Sequence, residues 1–430
     1  MSLRAMAIKT ELVAMRDGVR LATDIHFPEG VPQSEGTRQS ESAGQPEGAG
    51  RFPVLLERTP YGRGIASRSE ITVTDRTPAS RAALAAPFVA AGYVVVYQDT
   101  RGRYGSEGRF VKYLADAEDG FDTCAWLRAQ PWCDGRIVTM GLSYAAHTQA
   151  ALGCLDPPGL AAQVLDCGGF ADAWRSGIRQ SGAFELKQAT WAFRNAQTSP
   201  EAEADPVLRA ALAGEDIGAW FTRLPWREGQ SPLRHHRDYE TYLFAQWTHG
   251  EDGAFWHQLG IAAADWYERY SNCAMVHMSS WYDPYALTAV TNYVGLQRAG
   301  RGTQRLILGP WTHGDRSDRV FGDVDFGPRA PIDSWAGDWR SYRLRFFEHV
   351  LRGAAFTEPA VRVFVMGGGS GRRTAAGHLD HGGHWVSAAD WPVPGTAFVA
   401  FHLHRDGRLD PAPPAADTAP VSFDFDPSRP

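Results

Sequence analysis

Short apolar runs alternate with longer segments of helical periodicity over residues 1–170 and again from residue 271. An apolar run of about four to eight residues between turn signals is typical of a buried strand. Strands that alternate with helices predict a doubly wound, mostly parallel sheet, so we assign the chain to the α/β class. The expected strands are 11–15, 19–27, 53–57, 93–97, 136–140, 160–165, 274–278 and 305–308, and the expected helices are 81–91, 115–129, 144–153, 285–296 and 339–351.

The stretch from residue 171 to residue 270 breaks this rhythm. It lacks buried-strand runs and holds seven of the fifteen tryptophans, in segments of helical character. An insertion between two strands at the carboxyl end of a parallel sheet lies over the region where α/β proteins bind ligands. We therefore predict a helical cap over 171–270, whose aromatic side chains build its own core and partly line an apolar pocket.

From residue 357 the pattern changes to short alternating runs, such as 360–365 and 397–403, separated by Gly and Pro. This pattern predicts a β-sandwich or jelly-roll-like domain over 357–430. Strands spaced about 8 to 12 residues apart give five or six strands in this length, fewer than the roughly eight of a jelly roll. We therefore expect an incomplete domain with an unpaired sheet edge. This edge would either result from truncation or be covered by a partner. The catalytic domain is then 1–170 together with 271–356.

The segment Arg136-Ile-Val-Thr-Met-Gly-Leu-Ser-Tyr-Ala145 joins an expected strand to an expected helix. Such a join fits a nucleophile elbow, the sharp turn that holds a serine hydroxyl above a sheet with backbone N–H groups beside it. The positions two before and two after the serine must be small. Gly141 meets this need, and Ala145 replaces the second glycine of the usual motif. The pattern makes Ser143 a candidate nucleophile, although similar strings also occur in purely structural turns.

An acid and a histidine follow the serine in the chain order of α/β-hydrolases. Asp283 and His313 each lie in the loop that follows an apolar run. Side chains at the carboxyl ends of neighbouring parallel strands converge. The spacing therefore predicts a catalytic triad of Ser143, Asp283 and His313. Asp166, at the end of the strand after the elbow helix, is the alternative acid.

Several strings stand in a fixed order over about residues 11 to 366: Met15-Arg-Asp-Gly-Val-Arg-Leu-Ala-Thr-Asp24, Arg58-Thr-Pro-Tyr61, Gln98-Asp-Thr-Arg-Gly102 with Ser106-Glu-Gly108, Gly141-Leu-Ser-Tyr144, Gly182-Ala-Phe184, Trp281-Tyr-Asp283 and Gly309-Pro-Trp-Thr-His313. Together they resemble the cocaine esterase and X-prolyl dipeptidyl-peptidase family, the CocE/NonD-type α/β-hydrolases. That family also includes α-amino-acid ester hydrolases and glutaryl acylases. A chance match of all these strings in order is negligible.

The resemblance implies a role for each site residue. Ser143 would be the nucleophile, Asp283 the orienting acid and His313 the general base. Tyr61 matches the family tyrosine whose phenol donates to the oxyanion, with the backbone N–H of Tyr144 as the second donor. One well-placed oxyanion donor contributes about 3 kcal/mol to transition-state binding. Without the surrounding strings, Tyr61 would be interpreted as a packing residue in a Pro-Tyr turn.

Other polar residues near these motifs have structural interpretations. His147 lies one helical turn beyond the nucleophile and points away from it, and His277 lies within a strand. Both are expected to be packed core histidines. Asp99 and Arg101 follow the strand 93–97 and are expected to form a charge-assisted pair below the elbow.

The residues after Asp283 bear on the substrate class. Amino-acid ester hydrolases of the family bind a substrate ammonium with acidic residues just beyond the catalytic aspartate, where this chain has Pro284, Tyr285 and Ala286. A free α-amino group would lose water without gaining a counter-ion. We expect cleavage of an ester or amide of a small, bulky, neutral acyl substrate through an acyl-enzyme. The alternatives are an X-prolyl dipeptidyl peptidase, an α-amino-acid ester hydrolase or acyltransferase, and a catalytically silent binding protein.

Composition narrows the partners and the compartment. A net charge of -6 and the lack of a Lys/Arg run argue against nucleic acid, and no apolar stretch approaches the length of a membrane span. The five cysteines lack metal or disulfide spacing, and no signal-peptide pattern is visible. We expect a cytoplasmic serine esterase without cofactor or metal, and leave a homodimer open. The low-complexity segment from Val31 to Gly50 is expected to be a disordered loop.

Overall fold

The computed structural model describes residues 6–29, 50–426 and 429. By its internal contacts the chain divides into a large unit, Met1–Ser387, and a small unit, Ala388–Pro430. The expected disordered loop from Val31 to Gly50 lies outside the described residues, except for Gly50 itself. No helix of the described part is long and apolar enough to cross a membrane.

Strands and helices alternate along the large unit. Its strands are β1 (Ala7–Ala14), β2 (Arg20–Phe27), β3 (Phe52–Thr59), β4 (Val94–Asp99), β5 (Cys133–Leu142), β6 (Leu160–Asp166), β7 (Arg179–Gln180), β8 (Ala183–Phe184), β9 (Ala274–Ser280), β10 (Gln304–Gly309), β11 (Val320–Phe321), β12 (Val324–Asp325), β13 (Val361–Val365), β14 (Leu379–Asp380) and β15 (His384–Ala388). The small unit contains two short strands, β16 (His402–Leu403) and β17 (Leu409–Asp410). The helices are α1 (Arg81–Ala90), α2 (Asp116–Arg128), α3 (Tyr144–Gly153), α4 (Lys187–Ala196), α5 (Pro200–Ala204), α6 (Pro206–Ala213), α7 (Ile217–Phe221), α8 (Arg237–Thr248), α9 (Ala286–Arg298), α10 (Asp333–Ala336) and α11 (Trp339–Arg352), with a 3-10 helix at Ala263–Arg269.

A ten-stranded sheet in the order β1-β2-β4-β3-β5-β6-β9-β10-β13-β15 forms the centre of the large unit. β1 and β2 form an antiparallel hairpin, and β2 is also antiparallel to its other neighbour, β4. The next strands of the sheet, β4-β3-β5-β6-β9-β10-β13, are all parallel to one another. Helices cover both faces, so the inner strands are buried on both sides. Along β4, Val94 and Val96 pack into one core cluster, and Val95 and Tyr97 pack into the cluster on the opposite face.

The segment between β6 and β9 forms a helical layer with α4 to α8. Its buried aromatic side chains share one cluster with Phe110, Tyr113 and Tyr144, which belong to the loops and helices of the sheet layer. Tyr144 is the first residue of the elbow helix α3. The inserted helices therefore pack over the elbow.

The pattern change at residue 357 does not coincide with the end of the main sheet. β13 pairs in parallel with β10, with Val361 opposite Leu306, so this strand extends the sheet instead of starting a separate one. Local alternation of apolar residues cannot tell which sheet a strand joins. The second expected run, 397–403, contains only the short strand β16, which pairs with β17, and its Phe398 is 87% exposed.

Candidate active site

Ser143 lies between β5 and α3 in a sharp turn, with φ 62° and ψ −119°. Positive φ is unfavourable for a residue with a side chain and is typical of strained functional turns. The backbone N–H of Ser143 donates to the carbonyl of Asp166 at 2.8 Å, which fixes the turn to the end of β6. A Cβ added at Gly141 would lie 2.4 Å from the Cβ of Ala145. Glycine is therefore required at 141, and alanine fits at 145. This is the geometry of a nucleophile elbow.

Asp283 and His313 follow β9 and β10, which are parallel neighbours with Ser280 opposite Gly309. That register brings the two loops together, and Nδ1 of His313 lies 2.9 Å from Oδ2 of Asp283. The second carboxylate oxygen of Asp283 accepts the backbone N–H of Tyr285 at 2.9 Å. The Asp283 side chain is fully buried, whereas that of His313 is 38% exposed. The aspartate is thus fixed, and the imidazole remains accessible.

The charge state of Asp283 determines the tautomer of the imidazole. Burial raises the pKa of Asp283, but His313, with smaller contributions from Cys167 and the Tyr285 backbone, outweighs burial and leaves this pKa below its ordinary value. An ionised carboxylate accepts hydrogen bonds and donates none, so Nδ1 of His313 carries the hydrogen. When the ring is neutral, Nε2 is then the nitrogen that can accept a proton.

The alternative acid, Asp166, has a different partner. Its carboxylate pairs with Arg316 at 2.6 Å, and Arg316 also pairs with Glu70 at 2.9 Å. Both Asp166 and Arg316 are buried. Burial raises the pKa of Asp166, although the charge of Arg316 opposes this effect. Asp166 therefore belongs to a buried ion network below the site.

The hydroxyl of Tyr61, in the loop after β3, lies near the Ser143 side chain and the Tyr144 backbone, both of which lower the pKa of Tyr61. It also accepts the indole N–H of Trp191 at 3.1 Å. Burial raises the pKa of Tyr61, and its hydrogen bonds lower it by less, so the phenol keeps its hydrogen. The two expected oxyanion donors, the Tyr61 hydroxyl and the Tyr144 N–H, therefore lie together beside Ser143.

His147 and His277 are packed histidines, as the sequence predicted. His147 stacks on Phe170 with ring centres 3.8 Å apart, and its Nδ1 accepts the backbone N–H of Gly169 at 2.9 Å. Nε2 of His277 lies 2.8 Å from Oε1 of Gln304. Burial lowers the pKa of His277 to about 4, so this ring is neutral at physiological pH.

The expected pair of Asp99 with Arg101 is wrong. Asp99 pairs with Arg63 at 2.6 Å, and Arg101 pairs with Asp119 and Asp17. Asp99 is the last residue of β4, whereas Arg101 lies in the turn beyond it. Neighbouring side chains diverge where a strand gives way to a turn, so closeness in sequence did not make them partners.

Two lysines near the site were not singled out from the sequence. The amino group of Lys112 lies 3.7 Å from the ring centre of Trp191, and that of Lys187 lies 4.6 Å from the ring centre of Tyr285. The Tyr285 ring centre is in turn 5.6 Å from that of His313. Lys187 is also paired with Glu185. Isolated lysines in a loop and at a helix start carry no pattern, so sequence alone gave no signal for them.

A thiol, a carboxylate and an imidazole come together at Cys167, Asp283 and His313. Their potential ligand atoms lie within 4.8 Å of one another, the one such group of three in the described part of the chain. Metal ions bind the thiolate form of cysteine. Burial and the nearby Asp283 and Asp166 carboxylates raise the pKa of Cys167 well above its ordinary value. Two members of this group, Asp283 and His313, are already bonded to each other at 2.9 Å.

Residues 17–315 match the X-Pro dipeptidyl-peptidase (S15) family. The chain belongs to this family. The matched region includes Ser143, Asp283 and His313, and it confirms the resemblance drawn from the ordered strings. This S15 family member is also 29% identical to cocaine esterase from Rhodococcus sp. (strain MB1 Bresler) over 418 residues, which is 93% of this chain and 62% of that relative. The chain thus spans less than two thirds of the length of cocaine esterase.

Solved structures establish the fold of this S15 family member. An aminopeptidase from a marine sediment archaeon, Thaumarchaeota archaeon, is similar with a TM-score of 0.66 and 23% identity, over 97% of this chain and 64% of that one. A CocE/NonD family hydrolase from Staphylococcus aureus is similar with a TM-score of 0.62 and 18% identity, over 95% and 61% of the two chains. The α/β-hydrolase fold predicted from the sequence is confirmed.

Proposed function

We propose that the protein is a serine hydrolase that cleaves an ester or amide bond through an acyl-enzyme. Ser143 is the nucleophile, Asp283 and His313 are the acid and base, and Tyr61 and the N–H of Tyr144 form the oxyanion hole. The observation that carries the proposal is the 2.9 Å contact between His313 and the buried Asp283, together with the positive φ of Ser143 in the turn between β5 and α3. Membership of a hydrolase family supports it.

In the first half-reaction, Nε2 of His313 takes the hydroxyl proton of Ser143 while Oγ attacks the substrate carbonyl carbon. The resulting oxyanion accepts hydrogen bonds from Tyr61 and the Tyr144 N–H. When the tetrahedral intermediate collapses, His313 gives the proton to the departing alcohol or amine. Water then attacks the acyl-enzyme with His313 again as the base, which releases the acid and restores Ser143. Asp283 stabilises the imidazolium at each stage.

We infer a small, bulky, neutral acyl substrate. Tyr285, two positions after Asp283, is an aromatic residue that lies against His313. The amino group of Lys187 lies over the ring of Tyr285. A substrate ammonium in this region would meet a second cation. The carboxylate of Glu185 is nearby, but Lys187 is already its partner. Neutral aryl or alkyl groups avoid this conflict and gain about 25 cal/mol per Å² of apolar surface buried against the aromatic cap.

A matched pair of substrates tests this inference: methyl phenylacetate and methyl phenylglycinate, which differ by one amino group. With the amine protonated, we expect kcat/KM to be about 10- to 100-fold higher for the phenylacetate, because the ammonium loses water without a partner. Lys187→Met removes the neighbouring cation, so it should reduce the ratio of kcat/KM between the phenylacetate and the phenylglycinate. A clear preference for the phenylglycinate would favour the amino-acid ester hydrolase alternative, and a clear preference for a Gly-Pro anilide would favour the dipeptidyl-peptidase alternative.

Failure to hydrolyse any ester, with no labelling by a fluorophosphonate, would favour the silent binding protein.

A further inference from the structure

Trp191 is joined to the oxyanion tyrosine by a hydrogen bond whose direction is fixed by chemistry. The Nε1 atom of Trp191 lies 3.1 Å from the Tyr61 hydroxyl oxygen. An indole N–H donates and cannot accept. The Tyr61 oxygen must therefore accept this bond, and the hydroxyl hydrogen of Tyr61 cannot point towards Trp191.

The other polar groups near the Tyr61 oxygen belong to the reaction centre. The side chain of Ser143 and the backbone N–H of Tyr144 both lower the pKa of Tyr61, so both lie close to its hydroxyl. The backbone N–H of Tyr144 can also only donate. The phenolic hydrogen of Tyr61 can therefore point only towards Ser143. A substrate carbonyl attacked by Ser143 would place its oxygen on this same side. The Trp191 bond thus fixes the hydroxyl in the orientation that an oxyanion donor needs.

The indole ring is itself held from several directions. Its ring centre lies 6.0 Å from that of Phe110 and 5.9 Å from that of Tyr144, both in stacked orientations. The amino group of Lys112 lies 3.7 Å from the ring centre and donates to Oε1 of Gln188 at 2.8 Å. Lys112 and Gln188 are both buried. An N–H donor over a ring face draws electron density from the π system and strengthens the indole N–H as a donor.

We propose that Trp191 is a positioning residue of the oxyanion hole, which orients the Tyr61 hydroxyl towards the substrate carbonyl. The inference rests on the proposed function, because it requires Tyr61 to be an oxyanion donor. Trp191 belongs to α4, in the layer inserted between β6 and β9, whereas Tyr61 follows β3. The inserted layer therefore completes the oxyanion hole, in addition to covering the substrate.

A double-mutant cycle tests the proposal with Trp191→Phe, Tyr61→Phe and the pair, assayed on a neutral aryl ester. Trp191→Phe keeps a large ring and removes the N–H. We expect kcat to fall about five- to tenfold with little change in KM. A loss of this size corresponds to one neutral hydrogen bond that stabilises the transition state but not the bound substrate. In the Tyr61→Phe background, Trp191→Phe should cause no further loss, because the hydroxyl that it orients is absent.

Trp226→Phe is a matched control. Its indole N–H donates to the carbonyl of Trp220 at 2.9 Å, in the same inserted layer. It should change the melting temperature and leave kcat unaltered. Trp191→His keeps a ring N–H and should retain more kcat than Trp191→Phe. If Trp191→Phe does not fold, Trp191→Leu, which also removes the N–H, takes its place in the cycle.

The outcomes separate this inference from the proposed function. If Tyr61→Phe leaves kcat unchanged, Tyr61 is not an oxyanion donor and both proposals about it fail. If Tyr61→Phe slows the reaction but the two substitutions are additive, Trp191 acts by packing alone and the positioning role is overturned. A loss of kcat that depends on the presence of the Tyr61 hydroxyl supports the role.

Discussion

Oδ2 of Asp283 lies 2.9 Å from Nδ1 of His313, although the residues are 30 positions apart in the chain. The parallel register of β9 and β10 creates this contact, since each residue lies in the loop after its strand. The backbone N–H of Tyr285 holds the other carboxylate oxygen. The carboxylate is thereby fixed in the position from which it can orient an imidazole and stabilise its charged form.

Asp283→Asn is expected to reduce kcat by about 10⁴-fold, because an amide can present a donor to Nδ1, favours the wrong tautomer and no longer stabilises the imidazolium. Steady-state kinetics on an aryl ester measure the loss. Asp166→Asn is the matched control, since it removes the partner of Arg316 at 2.6 Å. The control should lower the melting temperature more than it lowers kcat. A larger loss of kcat in Asp166→Asn would mean that the acid was assigned to the wrong strand.

Tyr61→Phe is expected to lower kcat about 100- to 1000-fold with little change in KM, because it removes an oxyanion donor and keeps the ring. The indole N–H of Trp191 would also lose its acceptor, which costs about 1 to 3 kcal/mol of stability if it stays unsatisfied. Kinetics and thermal unfolding of the same sample separate these effects. Lower stability with wild-type kcat would restore the interpretation of Tyr61 as a packing residue.

Asp116, at the start of α2, should make folding stability depend on pH. Burial raises its pKa to about 6, despite the opposing charge of Arg58. A raised carboxyl pKa means that the folded state prefers the protonated form. The stability from this preference is complete below the ordinary pKa of an aspartate, near 3.9. It is lost as pH rises through about 6, and it amounts to about 3 kcal/mol.

Asp116→Asn keeps a neutral side chain at every pH. The free energy of unfolding of this variant, relative to wild type, should therefore rise between about pH 4 and pH 6 and then level off. Urea unfolding at a series of pH values measures the difference, in which contributions from other groups cancel. A difference that stays constant over this range would show that Asp116 is ionised without cost in the folded protein.

The elements that position the site were predictable because they depend on local patterns. The elbow helix Tyr144–Gly153 has the expected bounds, and the buried strands differ from expectation by a few residues at their ends. Apolar runs flanked by turn residues identify such strands without any knowledge of their partners. The order of serine, acid and histidine then indicated which loops should meet.

The contacts of Trp191 and Lys112 could not be predicted in this way. Trp191 and Tyr61 are 130 positions apart, and they meet through the packing of the inserted helices. Nothing in the sequence near Trp191 distinguishes it from the other tryptophans of that segment. The placement of β13 failed for a related reason, since an alternating run predicts a strand but not its neighbour. Both features depend on tertiary packing.

The central claim is that Ser143 is the activated nucleophile, and labelling with a fluorophosphonate followed by peptide mapping tests it most directly. We predict a single adduct on the peptide that contains Ser143. The Ser143→Ala variant should remain folded, take up no label and lose turnover by about a millionfold, as on removal of other triad nucleophiles. An adduct on a different serine, or undiminished ester turnover in folded Ser143→Ala, would contradict the account.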